Sequence, residues 1–250
     1  MITLTTLRLL PLAFLTGPAS AALISQSWNS DFAAGGVVPD GNPVGWSDTR
    51  TLSGITATTI TDVNVSLTIT GGWNGDLYAY LQHSSGISIR ISILLNRPGR
   101  TSSDPFGFDD SGMNIVFDDT AANGDSHVTL SGTSILLGES WQPDGRAVDP
   151  AAVLDSSTRS SFLSNFNGLN PNGNWTFFVA DMSGGGVSKV TAWGLEISAV
   201  PEPSEALGAG ILLGSALLLR IRPRTGIITS SRPSPRRKQD SAPAFARRFP

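Results

Sequence analysis

The sequence predicts an all-β protein, a jelly-roll-like β-sandwich of about eight strands. Three observations carry this expectation. Apolar residues alternate with period two over short runs, as in Val63, Val65, Leu67 and Ile69 and again in Ile87, Ile89, Ile91 and Ile93, the spacing that turns one face of a strand toward a core. Clusters of Gly, Asn, Asp and Ser interrupt the runs at roughly ten-residue intervals, and 27 Gly and 16 Pro among 250 residues leave little helix-period patterning. Finally, residues 175–180 and 187–197 alternate on either side of Asp181-Met182-Ser183-Gly184-Gly185-Gly186. This pattern reads as a closing β-hairpin with a long loop, in which Trp175 and Trp193 anchor the core.

In chain order, residues 22–52 read as a loop-rich segment, with Pro39, Pro43 and several glycines around Trp28 and Trp46. Strands are expected at 55–60, 63–69 and 76–81, the last following the Gly71-Gly72-Trp73-Asn74-Gly75 turn. The His83-Ser84-Ser85-Gly86 stretch turns the chain into a strand over 87–93. Further short strands fall at 113–117 and 128–137, and a looser segment runs from 139 to 161. Asn170-Pro171-Asn172-Gly173-Asn174 supplies the turn into the final pair.

The two ends have a different character. Residues 1–21 read as a secretory signal peptide, with Arg8 ahead of a short apolar core and Ala19-Ser20-Ala21 as the cleavage site. At the other end Val200-Pro201-Glu202-Pro203 precedes an apolar run over 206–219 and then Arg220, Arg222 and Arg224. That run is shorter than the roughly 20 residues of a comfortable bilayer span. Its one-sided arginines nevertheless suit transient association with the inner membrane, the basic end held at the cytoplasmic face. Residues 225–250 are basic and rich in Pro and Ser, a composition expected to stay disordered. Between 23 and 200 the chain carries 17 acidic against 7 basic side chains. An acidic body disfavours nucleic acid as a partner and suits divalent cations.

Two family resemblances rest on these residues. Val200 to Arg224, with Pro201, Glu202 and Pro203 as its signature, resembles a PEP-CTERM sorting signal. The resemblance implies export by a bacterium that makes exopolysaccharide, with processing near Pro201 by an exosortase-type membrane enzyme. The chain departs from that pattern by continuing 26 residues past the arginines. Residues 53–198 resemble the P domain, or homo B domain, that follows the catalytic domain of subtilisin-like proprotein convertases. The matching pieces occur in order: Gly75-Asp76-Leu77, Leu94-Leu95-Asn96-Arg97 with Gly99, Phe117-Asp118-Asp119-Thr120-Ala121, Phe166-Asn167-Gly168, Asn172-Gly173-Asn174-Trp175-Thr176, Asp181 and Trp193-Gly194-Leu195. The fold implied is again a jelly-roll sandwich.

The resemblance invites a search for proteolytic chemistry. A serine protease needs an imidazole beside its nucleophile, yet the chain has two histidines, His83 in an expected turn and His127 after the Asn123-Gly124-Asp125 loop. Gly132-Thr133-Ser134 superficially resembles the subtilisin serine motif, but the following residues continue as an expected strand rather than a helix. Cysteine is absent, which removes disulfides and Cys-based zinc sites. Calcium takes roughly six to eight oxygens, many from loop carboxylates. Asp118 and Asp119, with Asp109 and Asp110, are the candidate ligands, the alternative being turn residues bonded to their own backbone. Trp73, Tyr78, Tyr80 and Trp141 are candidates for a glycan-stacking platform, with Tyr78 and Tyr80 on one strand face opposite Leu77, Ala79 and Leu81. The functional expectation is a non-catalytic exported module, sorted to the envelope or exopolysaccharide matrix. Its rival is an accessory P domain serving a separate, secreted subtilisin-like serine endopeptidase.

Overall fold

The computed structural model describes residues 21–201. Nine strands form: β1 (Ala22–Trp28), β2 (Asn42–Leu52), β3 (Thr59–Gly71), β4 (Leu77–Ser85), β5 (Ser88–Asn96), β6 (Met113–Phe117), β7 (Ser140–Trp141), β8 (Gly173–Asp181) and β9 (Ser188–Val200). They make two sheets, one of five strands in the order β1-β9-β3-β6-β7 and one of four in the order β2-β8-β4-β5. All neighbours are antiparallel except β6 and β7. Apart from the β4–β5 hairpin and the β6–β7 link, consecutive strands lie in opposite sheets. The all-β sandwich expected from the sequence is therefore the observed architecture. Among the described residues no helix is long and apolar enough to cross a membrane. Ala19, Glu202 and Pro203, the rest of the expected signal peptide before Ala21 and the expected apolar C-terminal segment lie outside the described residues.

The core follows from the alternation. Val63, Val65, Leu67 and Ile69 on β3 face Leu77, Ala79 and Leu81 on β4 and Trp175, Phe177 and Val179 on β8, all buried. Three of the large aromatics in this core have their polar atom provided for, whereas the indole N–H of the buried Trp141 makes no hydrogen bond among the described residues. The Trp175 indole donates to the Pro171 carbonyl at 3.0 Å, and the Trp193 indole donates to Asp48 Oδ2 at 2.8 Å. Trp46 donates to the Ala33 carbonyl at 2.8 Å. His83 stacks on Trp175 with ring centroids 3.9 Å apart, and Phe166 meets the same indole edge-on at 5.2 Å.

Five sequence expectations are corrected here. The closing pair is no hairpin: β8 belongs to the four-stranded sheet and β9 to the five-stranded one, so residues 182–187 cross between the layers. Alternation reports which face of a strand is buried, and it reads the same whether two strands pair or oppose one another across a core. Residues 22–52, expected as loop, contribute β1 and β2 to the sandwich. β1 pairs with β9 along its length but buries little, so its sequence lacks a clean pattern. β2 carries Pro43 and a register shift between Asn42 and Trp46, tolerated because it is an edge strand. The two runs 55–60 and 63–69 merge into one long β3 that starts at Thr59. Residues 128–137 form no strand. Asp125 accepts the His127 N–H at 3.0 Å and caps a helical turn, α1 (Ser126–Thr129), and Gly132 at φ 83° opens a short 3₁₀ turn (Thr133–Leu136). His83 is in no turn, since it lies buried on β4.

Replacing Trp175 by alanine is expected to cost about 3–5 kcal/mol of unfolding free energy, the range for a fully buried tryptophan. Trp73→Ala, at a side chain 44% exposed, is expected to cost no more than about 1 kcal/mol. Urea unfolding of the two variants checks the contrast.

Candidate binding face

The solvent-facing side of the four-stranded sheet is built in rows by strand register. Ser47, Phe178, Tyr80 and Ile93 lie side by side across β2, β8, β4 and β5. Thr49, Thr176, Gln82 and Ile91 form the next row, and Thr51, Asn174, Ser84 and Ile89 the third. One half of this face is polar and self-bonded: Thr49 Oγ1 and Thr176 Oγ1 are 2.8 Å apart, and Thr51 Oγ1 donates to Asn174 Oδ1 at 2.7 Å. The other half is aromatic. Tyr80 stacks on Phe178 with centroids 4.7 Å apart and planes 15° apart, and Tyr78 meets both rings near 6 Å, at 6.1 Å and 6.3 Å. Gly45, at φ 64°, lets the Phe178 ring lie close to the sheet, because a Cβ there would meet that ring at 2.7 Å.

Tyr78, Tyr80, Ile91 and Ile93 form the floor of a groove of about 500 Å³ whose far wall is the 147–150 segment together with Ser161. Neither tyrosine hydroxyl is engaged by a hydrogen bond among the described residues, and burial raises the pKa of both. Tyr78 and Tyr80 have the orientation expected from the sequence, alternating with the buried Leu77, Ala79 and Leu81. Trp141 does not join them, since it is buried in the core, and Trp73 lies in a separate cavity.

The groove wall is held by a buried charged network that sequence reading missed. Asn96 Nδ2 donates to the carbonyls of Arg146 at 2.9 Å and Val148 at 3.0 Å. Asp144 and Gly145 donate backbone N–H bonds to Leu94 and Ile93. Asp144, fully buried, accepts from His127 Nδ1 at 2.8 Å and from Arg146 Nη1 at 3.3 Å, and Arg146 Nη2 reaches Asp125 at 2.8 Å. His127 Nε2 lies 2.9 Å from the Arg100 carbonyl, and Nδ1 lies 3.0 Å from the Asn96 carbonyl. Every partner of the ring is an acceptor, and the carboxylate among them favours the protonated form. Burial alone would lower the His127 pKa, but the hydrogen bond and charge of Asp144 outweigh it and the pKa is raised. His83 is the contrasting case. Burial lowers its pKa despite the carbonyls of Asn170 and Asn174 at 2.8 and 3.3 Å.

These bonds bear on chemistry. Neither imidazole faces a serine hydroxyl, and both nitrogens of each ring are engaged with backbone or carboxylate oxygens. The expected calcium ligands do not meet either. Asp118 Oδ1 accepts from the backbone and hydroxyl of Thr120, and Asp119 accepts the N–H groups of Leu163 and Ser164, closing a 3₁₀ turn (Leu163–Phe166). Asp110 accepts from Gly132 N–H, and Asp109 lines the cavity beside Trp73. Among the described residues no group of three acidic, His or Cys side chains is placed to hold a metal ion. The residues as arranged do not fit calcium at that motif.

A different carboxylate is under stress. Asp181 is buried, its Oδ1 accepts the Ser183 N–H at 3.1 Å, and its Oδ2 makes no hydrogen bond. Burial, reinforced by the charges of Asp76 and Asp40 and opposed by backbone N–H groups of Ser183 and Gly41, pushes its pKa from 3.8 to about 6.

No protein-family model matches the chain, and no curated protein matches it. Among solved structures it is similar to the serine protease of Aeromonas sobria, at 15% identity and a TM-score of 0.41. It is likewise similar to a chain in the complex of that protease with the chaperone ORF2, at 17% identity and a TM-score of 0.40. Each match covers 72% of this chain and 27% of the other, so the chain spans about a quarter of the length of those proteins.

Asp181 and His127, whose pKa values are raised, make the fold less stable as pH rises. Folded Asp181 holds its proton up to about pH 6, whereas the unfolded chain loses it near 3.8, so stability falls across that interval. The raised His127 pKa means that its contribution is complete below about pH 6.5 and is lost as pH climbs through the folded value. Asp181→Asn is expected to remove the acidic limb, stabilising the protein at neutral pH relative to pH 4 by at most about 3 kcal/mol. Urea unfolding of the chain and the variant at the two pH values measures the difference.

Proposed function

We propose that this protein is a non-catalytic, exported sandwich module that binds glycan through the outer face of its four-stranded sheet. The observation that carries the reading is the groove floored by Tyr78 and Tyr80, with Phe178 stacked alongside and both phenol hydroxyls left for a ligand. Aromatic rings present an apolar plane to the C–H face of a sugar, and flanking hydroxyl and amide groups suit its polar rim. Gln82 and Thr176, in the row beside the rings, supply that rim. The immobilised histidines support a binding role over bond-making chemistry. The PEP-CTERM-like segment, with Ala19 to Ala21 as leader cleavage site and Pro201, Glu202 and Pro203 as sorting signature, supports a route by exosortase-type processing. The destination is then the cell envelope or an exopolysaccharide matrix, after transient inner-membrane association.

The expected result is retention of the purified protein by the exopolysaccharide of its source cells in affinity electrophoresis. Tyr80→Ala is expected to weaken that binding about tenfold while leaving the fold intact, a loss in line with one stacking contact. Equal mobility of chain and variant in the polysaccharide gel sinks the glycan reading. The P-domain-like motifs favour a second reading, an accessory domain that stabilises or targets a separate subtilisin-like serine endopeptidase. A pull-down from source cells that recovers a protease and no polysaccharide selects it.

A further inference from the structure

A second cavity, of about 280 Å³, shares no residue with the aromatic groove and has an unusual lining. Trp73, Phe106 and Phe108 supply aromatic walls, Asp76 and Asp109 supply carboxylates, and Ser183 and Gly184 close the side nearest the β8–β9 crossing. Phe106, 73% exposed, presents its ring to both the cavity and solvent.

Phe106 is nevertheless held in place. Asp104 Oδ1 accepts the N–H groups of Phe106 at 3.1 Å and Gly107 at 3.2 Å, and the Thr101 hydroxyl oxygen accepts the Asp104 N–H at 2.9 Å. The loop lies directly on the turn before β4: Gly75 N–H donates to the Phe108 carbonyl at 2.9 Å, and Asn74 N–H donates to the Asp110 carbonyl at 2.9 Å. A Cβ on Gly75 would meet the Phe106 carbonyl oxygen at 2.4 Å, and one on Gly107 would meet the Pro98 oxygen at 2.3 Å. The walls are pre-organised by these contacts.

The electrostatics select the occupant. Asp40 and Asp181 stand close enough to add negative charge around Asp76, and the Asp40 carboxylate accepts the Gly185 N–H on the cavity's rim at 3.0 Å. Against the carboxylates of Asp40, Asp76 and Asp109, Arg97 is the cation in contact, donating to Asp76 Oδ1 at 3.1 Å and to Ser183 Oγ at 3.3 Å. Arg100 turns away to the carbonyls of Pro150 and Val153. An anion is repelled here, and a neutral apolar group would strip water from carboxylates without replacing it. A bare metal ion lacks converging ligands among the described residues. A cation on an aliphatic stem meets both requirements, since the ring faces attract it and the carboxylates neutralise it. Because Arg97 already occupies Asp76 Oδ1, the planar two-point pairing that a guanidinium prefers is compromised, which favours the compact ammonium.

We propose that the cavity bounded by Trp73, Phe106, Phe108, Asp76 and Asp109 binds an alkylammonium group of the kind carried by a lysine side chain. This site is independent of the glycan groove and stands whether or not that groove binds sugar. The test is a titration of the purified full chain with N-acetyl-lysine methylamide, followed through the Trp73 indole N–H resonance and compared with the neutral isostere N-acetyl-norleucine methylamide. A saturating shift with the lysine probe alone is expected. Phe106→Ala and Asp109→Asn, both at exposed loop positions, are each expected to weaken it about five- to tenfold. An equal shift with the norleucine probe, no saturating shift, or unchanged affinity in both variants overturns the assignment.

Discussion

The buried carboxylate of Asp144 is the point on which the functional half of the molecule depends. It sits out of solvent between the His127 ring and the Arg146 guanidinium, and Arg146 also pairs with Asp125. Removing one partner from such a network leaves an uncompensated buried charge, a loss of about 3–5 kcal/mol. The gain is positional, because the segment after Asp144 has no regular structure of its own and would otherwise be free to leave β5. Arg159 adds a second tie by donating to the carbonyls of Pro143 and Asp144. The groove beside Tyr78 and Tyr80 exists because that segment is clamped there.

The residues that carry the P-domain resemblance all have structural occupations. Asn172 bridges both the N–H and the carbonyl of Ile55, tying the entry of β3 to that of β8. Asp119 closes the turn before Phe166, and Phe166 packs on Trp175. Arg97, in a left-handed conformation at φ 52°, donates to the Gly75 carbonyl and to Asp76. A motif built from such positions specifies a scaffold. It is silent on which surface of that scaffold meets a ligand.

What could be read from the sequence follows the same division. Strands whose inner face is buried along their length, such as β3 and β4, announced themselves through alternation. So did the orientation of Tyr78 and Tyr80. β1 did not, because a strand at a sheet edge that buries only parts of Ile24 and Trp28 has no repeating pattern to detect. The helical turn at Ser126 was hidden by the apolar residues Val128, Leu136 and Leu137, which mimic a strand but stay exposed. Sheet membership of β8 and β9 was beyond reach, since alternation is identical for paired and facing strands. Phe178 was missed as a third ring of the face because only register across β4 and β8 places it beside Tyr80. The acidic pairs suggested a cation, but the cavity that Asp109 lines draws its walls from three separate segments, which no local sequence pattern brings together.

The position of β9 has a consequence for how the chain reaches this state. β9 is the last strand of the described chain, yet it lies inside the five-stranded sheet, with β1 on one side and β3 on the other. Its inward residues Val190, Trp193, Leu195 and Ile197 face a layer to which β8, the strand immediately before it, belongs. An N-terminal portion ending at β8 would therefore hold β1 and β3 as two unjoined fragments with open edges and a core lacking one wall. Long-range pairings of this kind form slowly, because their loop-closure entropy is spent before any contact repays it. The sandwich is thus completed by β9, and any shorter N-terminal portion stays pliable until that strand is in place.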